Sequence, residues 1–133
     1  MVEADAKSGG RVTAPPPSPA DSGAEPVIDF AHLARMTWGE KNLEAEVLSL
    51  FDRQAELLLA RMNGAPVAAV AAFAHTIKGS ARSIGAWQVA RAAEAVEHAA
   101  KAADPGSLAD ALRGLARAVE TARAVIVHLR PTA

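Results

Sequence analysis

Helix-stopping signals divide this chain more sharply than anything else in it. Asn63-Gly64, Gly85 and Asp104-Pro105-Gly106 each oppose continuation of a helix. Glycine and asparagine accept the left-handed conformation that ends one, and proline lacks the amide hydrogen that extends one. The stretches between these breaks are long and rich in alanine, with apolar residues recurring at three- and four-residue intervals. Alanine has the highest helix propensity, whereas strands favour branched and aromatic side chains, and aromatics are only 4% of the chain. An all-α protein is expected. Its 133 residues, half of them hydrophobic, suffice for one domain with a single core.

The elements follow from the breaks. Asp29 is a good N-cap for a short helix carrying Phe30, Leu33 and Met36, which the Trp38-Gly39 pair ends. A second helix spans Glu40 to Met62, with Leu43, Val47, Leu50, Phe51, Leu57 and Leu58 on its apolar side. Pro66 fits the first position of a third, where its missing donor is not needed, and Gly85 stops it. A fourth runs from Ala86 to about Ala103. The fifth begins at Ser107, where Ser107-Leu108-Ala109-Asp110 resembles a capping box, and reaches about Arg130 before Pro131. Short connections between long helices imply antiparallel neighbours, so the spacing predicts an up-and-down four-helix bundle with a short additional N-terminal helix capping one end. Residues 1–27, with a proline cluster among glycine, serine, alanine and charges, bury too little to offset the entropy of ordering and are expected to form a disordered tail before a bundle over 28–131.

Several function classes are excluded. A net charge of −1 gives no pull toward nucleic acid. The absence of cysteine removes disulfides, thiolate metal sites and a cysteine nucleophile. No apolar run approaches the roughly 18 residues of a membrane span, and the N-terminus lacks a signal peptide's apolar segment, so no membrane association and a cytoplasmic location are expected. No Gly-rich phosphate loop, GxSxG elbow or HExxH motif occurs. A paired Glu-x-x-His metal site also fails, because Ala72 and Ala95 stand three residues before His75 and His98.

What chemistry the chain can do centres on Ala74-His75-Thr76-Ile77-Lys78-Gly79-Ser80-Ala81-Arg82. In the third helix Val67, Val70, Phe73, Ile77 and Ile84 fall in one stripe about 120° wide, which faces the core. His75 lies about 145° from its centre, Arg82 about 125° and Lys78 about 85°. His75 therefore faces solvent, above the small residues Ala68, Ala71, Ala72 and Gly79. Glycine inside a helix costs about 1 kcal/mol relative to alanine, and Gly79 sits one turn after His75 on the same face, so clearance for a group carried on the histidine is the favoured reading of it. Lys78 and Arg82 project along the same flank, where cations would offset phosphoryl charge. His32, His98 and His128 lack a neighbouring Lys-Gly pair and read as surface or boundary residues.

The run His75-x-x-Lys78-Gly79-Ser80, followed by Gly85 and set in the third long helix of a small bundle, resembles the histidine-containing phosphotransfer (HPt) domains of two-component phosphorelays. The resemblance covers roughly residues 30–130. It implies that His75 is the phosphorylated residue, Lys78 a phosphate-stabilising cation and Gly79 the residue giving clearance, with docking of receiver domains at the apolar surface around the first helix and the bundle end. Glu94 occupies a place where the family often has glutamate. At 22 residues after the histidine, several members carry a glutamine that bonds the imidazole, and Glu97 stands there instead. Its carboxylate could accept a hydrogen bond from one ring nitrogen and leave the other as a nucleophile, while also favouring the protonated ring. Glu97 lies near the edge of the apolar stripe of its own helix, so contact with the third helix is feasible, and a plain boundary glutamate is the alternative.

The implied role is that of a phosphoryl carrier rather than a kinase, exchanging phosphoryl groups with response-regulator receiver domains and a sensor histidine kinase. It needs no cofactor of its own, and Mg²⁺ would come from the receiver. A monomer is expected. The rival reading is a helical module that binds a signalling partner without being phosphorylated.

Overall fold

The structure, a computed structural model, describes residues 25–129; most of the expected N-terminal tail and residues 130–133 lie outside it. Those described residues form five helices and no strand: α1 (Phe30–Met36), α2 (Lys41–Met62), α3 (Val67–Ile84), α4 (Trp87–Ala102) and α5 (Pro105–Leu129). Each long helix packs on its neighbour in the chain and α5 closes against α2, which gives the expected up-and-down bundle, while α1 packs on α3. Among the described residues no helix is long and apolar enough to cross a membrane.

The core is a column of Ile77, Ile84, Val89, Val96, Leu115, Val119 and Ile126, all but sealed from solvent, and each such side chain contributes roughly 1.5–3 kcal/mol by leaving water. Ala74, Ala81 and Ala93 are fully buried between them. These small side chains let α3 and α4 approach closely.

Two expectations about local structure are corrected. Leu50 and Leu57 are about half exposed, at 53% and 50%, while Leu48, Ala55 and Met62 join Phe51 and Leu58 in the core. The buried set repeats at 48, 51, 55, 58 and 62, and Leu50 and Leu57 lie about 120–140° from its centre. The fifth helix starts at Pro105, ahead of Ser107. Asp104 is its cap: Oδ1 accepts from the amides of Gly106 (3.2 Å) and Ser107 (3.5 Å), and Oδ2 from the Ser107 hydroxyl (3.0 Å). Proline is tolerated there because the first turn of a helix has no use for its missing donor.

A strap joins α1 to the α3–α4 corner. The Asp29 amide donates to the carbonyl of Gly85 (2.9 Å), whose positive φ of 77° closes α3 in the left-handed conformation. The Asp29 carboxylate caps α1 through the His32 amide (3.1 Å) and accepts from Trp87 Nε1 (3.1 Å); these two bonds, the Trp87 one foremost, hold its carboxyl below the usual range. Ile28 is buried beneath, and Arg91 grips the carboxylate of Glu25 through both terminal guanidinium nitrogens. Glu25 to Val27 fall in the stretch expected as tail, and the structure gives them these partners on α4 and the core.

Candidate functional site: an oriented histidine on α3

His75 lies in the middle of α3 with 70% of its side chain exposed. The outward direction follows from the burial of Val70, Ala74, Ile77, Ala81 and Ile84 on the opposite side. Across the α3–α4 seam stands Glu97, whose side chain is only 11% exposed, and its Oε2 is 2.9 Å from His75 Nδ1. A carboxylate can only accept, so the hydrogen of the neutral ring sits on Nδ1 and Nε2 keeps its lone pair. The contact that the sequence left open is thus made, by two residues 22 positions apart.

Lys78 departs from expectation. Its outward lean predicts an exposed side chain, yet only 13% is exposed and Nζ lies 2.6 Å from Glu97 Oε1. Its angular position on α3 is at the boundary of the core stripe, where the ammonium reaches the carboxylate on α4 and the apolar stem can lie away from water. Each oxygen of Glu97 therefore has its own partner, the ring on Oε2 and the ammonium on Oε1. Burial works to raise the Glu97 carboxyl, but the hydrogen bonds and positive charge of Lys78 and His75 outweigh it and hold the group below its ordinary value. Glu97 is an anion at neutral pH.

Around this triad the surface is low. A Cβ placed on Gly79 would meet nothing within 4 Å, so no helix within the described residues packs on that glycine. The space it leaves is solvent beside the imidazole. Arg82 is exposed two turns further along α3, about 10 Å down the axis. It borders a cleft with Trp87, Arg91 and Glu94, so the structure gathers His75, Lys78, Gly79 and Glu97 at one point and leaves Arg82 and Glu94 at the strap end of the same seam. His98 and His128 are exposed, and His32 is half-buried with its ring edge-on to Trp87 at 4.9 Å.

One further partner had no signal in the sequence. Gln54 on α2 accepts from the hydroxyl of Ser80 at 2.5 Å, tying the residue after Gly79 to the helix on its other side. Nothing local marks a pair 26 positions apart.

The described residues hold no cluster of acidic residues and histidines able to ligate a metal ion. The site is thus a mid-helix histidine, exposed on one edge and hydrogen-bonded to a buried carboxylate on the other, on a four-helix bundle. The Hpt domain family matches residues 40–125, and the chain belongs to that family. The fold is also similar to that of a rice protein assigned to the histidine-containing phosphotransfer proteins, with a TM-score of 0.65 over 77% of this chain and 81% of that one, at 18% identity. No curated protein matches the chain.

Proposed function

We propose that this protein is a phosphoryl carrier in a phosphorelay, with His75 as the residue that is phosphorylated. The observation that supports it best is the two-sided setting of the ring, 70% exposed yet held at Nδ1 by Glu97. The Nε2 lone pair attacks the phosphorus of a receiver domain's aspartyl phosphate. The N–P bond forms as the P–O bond to the aspartate breaks, and the receiver carboxylate departs with the electron pair. The hydrogen stays on Nδ1, so the ring gains positive charge, which the Glu97 carboxylate stabilises. A second receiver aspartate takes the group by the reverse sequence.

Phosphoryl transfer depends on positioning and charge neutralisation, which this site supplies with few residues. Gly79 leaves room for the phosphoryl group, Lys78 is the nearest cation on α3 with Arg82 two turns away, and Mg²⁺ belongs to the receiver. The partners are receiver domains of response regulators, with a sensor histidine kinase as a further donor. The chain acts as a monomer in the cytoplasm, carries phosphate between partners, and has no nucleotide site.

Incubation with a phosphate-labelled receiver tests this. The expected result is acid-labile, alkali-stable label on this chain that disappears in His75→Gln. Stoichiometric receiver binding with no label under active-donor conditions would leave a non-phosphorylated interaction module in its place.

A further inference from the structure

The Glu97 carboxylate raises a problem that its contacts with α3 resolve. An anion 2.9 Å from Nδ1 orients the ring, but it also favours imidazolium, in which Nε2 carries a hydrogen and has no lone pair to give. Taken alone, the group that aims the nucleophile would also suppress it. Lys78 sits where it can cancel that effect. Its ammonium is 2.6 Å from the other oxygen of the same carboxylate, and only 13% of its side chain is exposed. In this seam, with Glu97 itself buried, solvent screens the pair poorly. Seen from the imidazole, Glu97 and Lys78 together present a hydrogen-bond acceptor with no net charge, electrically what a carboxamide presents.

We propose that Lys78 is a positioning residue that acts through Glu97, the counter-charge that lets this carboxylate orient His75 without holding the ring in its protonated, non-nucleophilic form. This differs from a lysine whose only task is to meet the incoming phosphate, because the geometry places its ammonium on Glu97 before any phosphate arrives. The other charged groups near the ring cannot substitute for it. On α3 the next cation is Arg82, two turns away at the cleft it shares with Arg91 and Glu94. On α4, Glu94 and Lys101 stand about one turn to either side of Glu97 and carry opposite signs, and His98 is exposed beside it.

The proposal rests on His75 being the nucleophile of the proposed carrier, but its test does not require phosphate. The His75 ring is followed by ¹⁵N NMR through a pH titration of the full chain. Lys78→Met is expected to raise the ring's titration midpoint by about one pH unit, Lys78→Arg to leave it near the native position, and Lys78→Met with Glu97→Gln to bring it back down. A midpoint that Lys78→Met leaves unmoved or lowers would overturn the proposal. If the amide spectrum shows that Lys78→Met has unfolded the bundle, Lys78→Gln, which retains a polar group against Glu97, is read by the same criterion. The two readings fail separately. A native chain that accepts label while Lys78→Met shows no shift defeats the counter-charge alone, and a rise with Lys78→Met in a chain that never accepts label supports the counter-charge and defeats the carrier.

Discussion

A Cβ built on Gly85 would stand 2.9 Å from both the Cβ and the carbonyl oxygen of Asp29. The strap that carries α1 crosses the α3–α4 corner at the one residue able to let it through. The contact is with backbone, which cannot swing aside, and the φ of 77° is itself unfavourable for any residue with a side chain. Gly85→Ala is expected to cost about 2–3 kcal/mol and to lower the melting temperature accordingly. Thermal melts of the variant check this, and a change below about 0.5 kcal/mol would mean that the strap can shift.

The other glycine of the site has the opposite prospect. Gly79 is inside a helix with open space where a Cβ would stand. Gly79→Ala should stabilise the bundle by about 1 kcal/mol while slowing the proposed phosphotransfer to His75. A displacement of even 1 Å in an attacking geometry can cost about 100-fold in rate. Stability and transfer rate moving in opposite directions is the expected signature. An unchanged rate would separate this glycine from the chemistry.

Acid should reveal the Glu97 site. Its carboxyl is held below the ordinary value of 4.5 in the folded chain, so the unfolded chain takes up the proton first as pH falls. The resulting stabilisation is complete above that value and drains away as pH drops through the folded one. Glu97→Gln removes this titration and should flatten the acid limb of a stability–pH curve measured by denaturant unfolding. The residual slope belongs partly to Asp29, whose carboxyl is shifted the same way by Trp87 and the His32 amide.

Trp38 occupies the left-handed region at φ 53° and is 86% exposed. A bulky residue in that conformation is disfavoured by about 1–2 kcal/mol, and so exposed a ring recovers little of it by packing. Trp38→Gly should therefore raise stability by about 0.5 kcal/mol or more, net of the extra freedom glycine has when unfolded. If the ring is part of the receiver-docking surface of the proposed carrier, the same variant weakens receiver binding, measurable by calorimetry. A loss of stability would show that Trp38 packs more than its exposure indicates.

The ends of α1 to α3 and the outward direction of His75 were legible because they depend on local signals, the glycines and asparagine that stop helices and the phase of apolar residues along α3; α4 ends instead on Ala103, an alanine in the left-handed conformation. The seam was less so. Lys78 leans about 85° from the core stripe, a boundary where the neighbouring helix decides exposure, and α3 alone says nothing of α4. Leu50 and Leu57 look like core by identity, but the stripe that α2 buries includes Ala55 and the carboxylate of Asp52, which pairs with Arg123 on α5 at 2.6 Å. Asp104-Pro105 reads as a turn if the proline is taken as a breaker and as a helix start if the aspartate is taken as a cap; the three bonds to its carboxylate decide for the start.

The corner at Asp29 also has a spectroscopic consequence. The chain has two tryptophans and no tyrosine, and the two indoles report on different surroundings. Trp38 stands in water, while Trp87 donates to Asp29 and meets the edge of His32. In Trp38→Phe the intrinsic fluorescence comes from Trp87 alone, so its emission becomes a label-free gauge of whether the α1 strap is seated, readable in the same cuvette in which a receiver is titrated.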